Sequence, residues 1–107
     1  MPREKFKTLT EQMFYILLCL RTVCYGLDIL DRIPQMTNGR VHVGSGTHYN
    51  LLEQLHDAGL IRETKVEGRR RSYMITKDGI EMLDKEYERI RAQAEDYCRF
   101  TGKEMIR

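Results

Sequence analysis

The sequence predicts a mostly helical α+β fold, with three short helices and a β-hairpin ahead of one long C-terminal helix. Three observations support this fold class. Apolar residues recur at helical spacing in four segments, two further segments resemble strands on either side of a turn, and the last helical segment keeps a 3-4 apolar repeat. With 107 residues, 41% of them hydrophobic and 32% charged, the chain suffices for one core.

The first helix is expected over about residues 10–22. Thr8 and Glu11 fit a capping box at its start, with Thr8 as the N-cap. Apolar residues surround most of this helix, so two of its sides must be covered. In so small a chain we expect a partner subunit to supply the second cover.

A second helix is expected from Gly26, because Leu27, Leu30 and Ile33 recur at helical spacing. Pro34 should kink or end it, since proline lacks the N–H donor and clashes with the preceding turn. A turn is predicted at residues 37–39, followed by a short strand at residues 41–43.

The third helix is predicted to start with Ser45 or Thr47 as its cap and to end at Gly59 in the C′ position. Its buried stripe is expected to consist of His48, Leu51, Leu52 and Leu55. We interpret the histidine as a hydrogen-bonded core residue rather than a ligand or a pH switch.

Residues 60–66 and 71–75 are predicted to form two strands joined by a turn at residues 67–70. Residues 62–73 contain five Arg or Lys against two Glu, although the net charge of the whole chain is only +2. The hairpin therefore has a basic tip that favours contact with an anionic partner. Tyr73 is expected to pack the base of the hairpin against the domain.

The last helix is predicted to begin after Thr76 as its cap and to reach Phe100. At about 36 Å it is too long to be covered by so small a body, so its apolar seam is expected to form a coiled-coil dimer. The predicted dimerisation residues are Ile80, Leu83, Tyr87, Ile90, Ala94 and Tyr97.

This order of elements is typical of a winged helix-turn-helix with an added dimerisation helix. We accordingly divide the chain into a winged-helix DNA-binding domain over residues 1–75 and a C-terminal dimerisation helix over residues 76–107.

From Leu9 to about Arg91 the sequence resembles the PadR family of transcriptional regulators. The matching words, in order, are Leu9-Thr10-Glu11, Ile16-Leu17, Tyr25-Gly26, Gly44-Ser45-Gly46-Thr47-His48-Tyr49, Gly59-Leu60-Ile61, Gly68-Arg69-Arg70-Arg71-Ser72-Tyr73, Thr76 and Gly79. The resemblance implies a homodimeric repressor that a small effector releases, in the short form without a second C-terminal helical domain. Pro34 and His48 depart from the family's pattern.

The residues expected to contact double-stranded operator DNA lie at the start of the third helix and on the hairpin. They are Ser45, Thr47, Tyr49, Asn50, Lys65, Arg69, Arg70 and Arg71. No Lys or Arg occurs between Arg40 and Arg62, and Glu53 and Asp57 would face the groove if the helix lay flat. We therefore expect the helix to enter by its N-terminal end and the hairpin to supply the positive charge.

Two further interpretations remain open. Met13, Phe14 and Leu17 are candidates for a pocket that binds a small aromatic effector between the first and last helices, although core packing also explains them. The acidic third helix also fits a winged-helix protein-interaction module or antirepressor without DNA binding.

Several classes of function find no support in the sequence. The recognised catalytic and metal-binding motifs are missing, so we expect neither an enzyme nor a cofactor or metal. The three cysteines lack C-x-x-C spacing and are expected to be reduced: Cys19, Cys24 and Cys98. The alternative is that Cys19 and Cys24 form a redox sensor. The longest apolar run has eight residues, whereas about 17–25 are needed to span a bilayer, so we expect no membrane partner. The charged N-terminus lacks an apolar signal core, which predicts a cytoplasmic protein.

Overall fold

The computed structural model describes residues 7–104, which form helices and one three-stranded antiparallel sheet in the order β1-β3-β2. The elements are α1 Glu11–Cys19, β1 Cys24–Tyr25, α2 Gly26–Met36, α3 Ser45–Asp57, β2 Ile61–Glu67, β3 Arg70–Ile75 and α4 Lys77–Thr101. The predicted mostly helical α+β fold is confirmed. The last helix is also confirmed, with Thr76 as its N-cap.

Helix α1 begins and ends differently from the prediction. Thr10, not Thr8, is its N-cap, and the Thr10 hydroxyl accepts a hydrogen bond from the Met13 N–H at 3.1 Å. The helix ends at Cys19 because the chain then turns to the sheet, where the Leu20 carbonyl accepts from the Ile75 N–H at 2.9 Å. Strand β1 follows, and its two residues are too few to show the alternation that predicts a strand.

The expectation that Pro34 breaks the second helix is wrong, because α2 continues through it to Met36. A proline at this position removes one backbone hydrogen bond near the end of the helix, while the buried Ile29 and Ile33 hold the helix in the core. The predicted turn is confirmed, with Asn38 and Gly39 at φ angles of 54° and 79°.

The predicted strand at residues 41–43 is wrong, since this part of the described chain has no regular secondary structure. The alternation itself is real: Val41 and Val43 are buried and His42 is exposed. However, the Val41 N–H donates to the Thr37 hydroxyl at 3.1 Å instead of to a neighbouring strand.

Helix α3 has Gly44 as its N-cap, so neither Ser45 nor Thr47 caps it as expected. Its C-terminal end follows the prediction: Gly59 has a φ of 79°, and the Leu60 N–H donates to the Leu55 carbonyl at 3.0 Å. Strand β3 starts at Arg70, one residue before the predicted start, so a two-residue loop of Gly68 and Arg69 joins β2 to β3.

His48 joins α3 to the start of α2 inside the core. Its side chain is fully buried, and Nε2 lies 2.7 Å from the carbonyl oxygen of Gly26, which can only accept. Nε2 therefore carries the proton, and within residues 7–104 Nδ1 has no hydrogen-bond partner. Burial lowers the pKa of His48 because the charged imidazolium loses its hydration.

The start of α4 packs directly on the backbone between α3 and β2. Thr76 donates from its hydroxyl to the Gly59 carbonyl at 2.7 Å, and its N–H donates to the Leu60 carbonyl at 3.0 Å. One turn later Gly79 lies so close that an added Cβ would be 2.1 Å from the Leu60 oxygen. Only glycine fits at this contact without displacing the backbone.

Glu86 holds the next part of α4 to the start of α1. Its carboxylate is buried, accepts from the Leu9 N–H at 3.2 Å, and pairs with Arg89. The Arg89 guanidinium holds the pKa of Glu86 below its ordinary value. Together with Leu83, which is buried one turn earlier, this carboxylate fixes α4 to its own domain.

Gly79→Ala is expected to lower the free energy of unfolding by about 1–3 kcal/mol or more, because the new methyl group would overlap the Leu60 carbonyl. Urea denaturation measures this loss. Gly46→Ala in α3 is the matched control, because a Cβ there meets open space and alanine favours a helix by about 0.5–1 kcal/mol. Equal stability of the two variants would contradict the close approach.

His48 should make the protein less stable in acid. Because its pKa falls below 6.5 on folding, the unfolded chain binds more protons as the pH decreases through this value. The free energy of unfolding should then decrease by up to about 1.4 kcal/mol per pH unit.

The variant His48→Gln tests this expectation because glutamine keeps an N–H donor for Gly26 but does not titrate. Urea denaturation at about pH 7.5 and about pH 5.5 should show a smaller acid loss in the variant than in the wild type. The same loss in both proteins would show that His48 does not cause it.

Candidate nucleic-acid interface

The predicted contact residues of α3 lie on its exposed face. Ser45, Thr47, Tyr49 and Asn50 are all solvent-exposed within the first six residues of the helix, while His48 between them points into the core. The N-cap Gly44 has no side chain to accept from the first-turn N–H groups. This end of α3 therefore offers backbone donors, hydroxyls and an amide on one surface.

The hairpin formed by β2 and β3, here called the wing, meets this end of α3. A cavity of about 210 Å³ lies between them, and Tyr49 borders it from the helix. The wing lines the same cavity with Arg69, Arg70 and Arg71. Predicted site residues from two distant segments of the sequence thus come together on one face.

Most cations of the wing are already engaged within the protein. Lys65 Nζ lies 3.0 Å from a carboxylate oxygen of Glu67, and Arg71 donates to Glu63 at 3.2 Å. The guanidinium carbon of Arg70 lies 4.0 Å from the centre of the Tyr25 ring. The charge available to an anionic partner is therefore smaller than the number of basic residues suggests.

Arg69 differs from the other wing cations. It occupies the two-residue loop at the tip of the wing and is exposed. Within residues 7–104 its side chain has neither a hydrogen-bond nor an ion-pair partner. Its guanidinium can thus bind an anion without first breaking a contact with another residue.

One functional candidate in this region, Tyr25, has no equivalent in the sequence-based site. The Tyr25 hydroxyl donates to Glu67 at 2.6 Å and its ring lies against Arg70, so Tyr25 contacts the wing from β1. The two residues are 42 positions apart, and no local pattern relates them. The sequence signal was limited to Tyr25-Gly26 as one of the words shared with the PadR family.

The predicted dimerisation residues divide into two groups along α4. Leu83 is buried and Ile80 is half-buried against the core, so both pack on their own domain. The remaining residues of the seam leave the domain: Tyr87, Ile90 and Tyr97 are exposed, and Ala94 is half-buried. Phe100, which was not assigned to the seam, is 83% exposed.

The three candidate effector residues differ in their surroundings. Met13 and Leu17 lie in the buried core, whereas Phe14 is half-buried and lines a cavity of about 300 Å³ between α1 and α4. Tyr87 and Ile90 line the same cavity from α4. The pocket therefore adjoins the exposed part of the seam.

Cys19 and Cys24 are poor candidates for a reactive site. Burial raises the pKa of Cys19 to about 11 and also raises that of Cys24, so both thiols stay protonated and are poor nucleophiles. Among residues 7–104, no cluster of three His, Cys, Asp or Glu could hold a metal ion. In the same range, no helix combines the length and apolar character needed to cross a membrane.

Three solved structures share this fold at low sequence identity. A transcriptional regulator from Clostridium thermocellum superposes with a TM-score of 0.72 at 23% identity, over 84% of this chain and 91% of the other. A PadR family regulator from Clostridium difficile R20291 gives 0.71 at 19% identity, over 86% and 99%. Another from Eggerthella lenta DSM 2243 gives 0.63 at 22% identity, over 84% and 77%.

These likenesses confirm the predicted winged-helix fold. A comparison with curated proteins finds no match. The Transcriptional regulator PadR-like family, which is a family of regulators and not of enzymes, matches residues 16–85, more than half of the chain. The chain therefore belongs to the PadR-like family of transcriptional regulators.

Proposed function

We propose that this regulator binds double-stranded operator DNA as a symmetric homodimer and represses a small operon until a small-molecule effector releases it. The first turns of α3 enter the major groove, and the wing follows the adjacent backbone. One observation carries the proposal: Tyr49, from the exposed start of α3, borders the same cavity as Arg69, Arg70 and Arg71 of the wing. The repressor role follows from the resemblance to the family.

Helix α3 enters the groove by its N-terminal end. The positive end of its dipole and its first-turn N–H groups favour phosphate oxygens there, which compensates for the lack of Lys or Arg on the helix. Tilting the helix in this way also keeps Glu53 and Asp57, both exposed, away from the phosphates. Asn50 is then placed to pair with an adenine edge.

Arg69 supplies the principal phosphate contact of the wing. Arg71 must give up its bond to Glu63, and Arg70 its contact with Tyr25, before either binds a phosphate with full strength. Such an exchange of partners yields little net free energy, because one charged contact replaces another. Arg69 has no partner to lose among the described residues.

Arg69→Ala should weaken binding to the DNA upstream of the protein's own gene by about tenfold and reduce the salt slope by about one. Fluorescence anisotropy at several salt concentrations measures both quantities. Arg91→Ala is the matched control, because it removes the same charge from α4, where Arg91 pairs with Glu95 at 3.2 Å.

Two outcomes would contradict the proposal in different ways. Equal effects of the Arg69 and Arg91 substitutions would reduce the role of the wing to net charge. No binding by the wild type even at low salt would favour the alternative of a winged-helix protein-interaction module, for which the exposed acids Glu53 and Asp57 of α3 are the supporting observation.

The exposed seam of α4 supports the homodimer. Tyr87, Ile90 and Tyr97 recur at intervals of three and seven residues, which places them along one stripe of the helix. A second copy of α4 would cover this stripe. It would also cover the adjacent cavity, which Phe14 of α1 lines. Two-fold symmetry would then present two copies of α3 to half-sites about 34–36 Å apart.

Ile90→Glu combined with Tyr97→Glu should convert the dimer into a folded monomer, because two carboxylates would be buried in the seam without partners. Light scattering after gel filtration measures the mass, and circular dichroism checks the helix content. Lys85→Glu, on an exposed polar position of α4, is the control and should remain dimeric. A dimer that persists in the double variant would refute this interface.

The effector is proposed to bind between α1 and α4. The cavity there is bordered by the aromatic rings of Phe14, Tyr15 and Tyr87, which suits a flat apolar molecule. Because Tyr87 and Ile90 belong both to this cavity and to the seam, an occupant would change the angle between the two DNA-binding heads.

A further inference from the structure

We propose that Tyr25 is a positioning residue for DNA recognition, which holds the tip of the wing in place so that Arg69 meets the phosphate backbone. The inference rests on the proposed function and adds a residue to it. Tyr25 lies in β1, outside both α3 and the wing. It acts on the DNA through the loop that carries Arg69.

The backbone of Tyr25 is held from two sides. It pairs with Ser72 of β3 as the last residue of β1, and it is also the N-cap residue of α2. Since α2 contacts α3 through the hydrogen bond between Gly26 and His48, Tyr25 belongs to the rigid frame of the helix-turn-helix. A contact from its side chain therefore fixes the position of the wing relative to α3.

The outer part of the wing needs such a contact. Strand β1 pairs with β3 at Tyr73 and Ser72, so in the described chain the wing beyond Ser72 is a two-stranded ribbon. Ribbons of two strands are marginally stable and twist readily. The bulge between Glu63 and Lys65 further interrupts the ladder at its base.

The side chain of Tyr25 contacts both residues that flank the wing's loop. Its hydroxyl donates to Glu67 Oε1 at 2.6 Å, and its ring lies under the Arg70 guanidinium at 4.0 Å. Glu67 and Arg70 are opposite each other in the strand register, with Gly68 and Arg69 between them. One tyrosine thus fixes the last residue before the loop and the first residue after it.

The charge states of the pair suit this contact at neutral pH. The hydrogen bond to Glu67 raises the pKa of the Tyr25 phenol, and the same bond lowers the pKa of the carboxyl, together with Lys65 at 3.0 Å. Tyr25 therefore remains a donor and Glu67 an ionised acceptor.

The experiment combines Tyr25→Phe with Arg69→Ala in a double-mutant cycle, with DNA affinity measured by anisotropy. Phenylalanine keeps the ring under Arg70 and removes only the hydroxyl. We expect Tyr25→Phe to weaken binding by about threefold to tenfold. This range corresponds to the free energy of one hydrogen bond to a charged group, reduced because the bond is exposed to solvent. In the Arg69→Ala background, the same substitution should have no further effect.

Hydrogen exchange of the free protein supplies a readout that does not depend on DNA. Amides of Glu67 and Arg70, which pair with each other beside the loop, should exchange faster in Tyr25→Phe, while those of α3 and the melting temperature stay unchanged. Gln12→Met is the control, because it removes an uncharged side-chain hydrogen bond outside the wing, from Gln12 to the His42 carbonyl at 3.3 Å. It should affect neither the wing nor the DNA affinity.

Each failure can be distinguished from the others. If the wild type binds DNA and Arg69→Ala weakens it, but Tyr25→Phe binds as the wild type does, the proposed function stands and this inference is overturned. An equal effect of Tyr25→Phe with and without Arg69 would overturn it too, because Tyr25 would then contact DNA itself. No binding by the wild type overturns the proposed function together with the inference.

Discussion

The close contact between the start of α4 and the backbone at Gly59 and Leu60 is the constraint on which the rest of the structure depends. Thr76 bonds to both carbonyls there, and Gly79 leaves no room for a side chain against the second one. The adjoining Ile75 is bonded to Leu20 at the end of α1. One junction thus sets the positions of α1, the wing and α4 relative to the end of α3.

The wing shows how internal pairing limits what a basic segment can offer to a partner. Glu63 and Glu67 neutralise cations on the wing itself, and an aromatic ring supports a third. These contacts reduce the electrostatic attraction of the wing to DNA. In return they order a two-stranded ribbon that would otherwise be only marginally stable. In the proposed complex with DNA, the placement of Arg69, which has no partner among the described residues, matters more than the number of arginines on the wing.

Helix α4 serves two purposes along its length. Its first half is part of the domain, through the buried Leu83 and Glu86, whereas its second half carries exposed apolar residues up to Phe100. The cavity beside Phe14 lies where these two halves meet. In the proposed dimer, this position connects a small-molecule site to the relative orientation of the two heads.

Periodicity in the sequence by itself determined the helices, the hairpin and the 3-4 repeat of α4, because these patterns depend on residues close together in the chain. The residues expected near DNA stay a prediction, which was made from the start of the third helix and the basic tip of the hairpin. Tertiary structure alone decided that α2 passes through Pro34 and that two residues form β1, since distant packing and pairing partners outweigh local preference there. Tertiary structure also decided which candidate residues are accessible to a ligand. Leu17 lies in the core, and Arg70 and Arg71 already have partners, whereas Arg69 has none among the described residues. Burial and pairing depend on contacts between distant residues, which no local sequence pattern records.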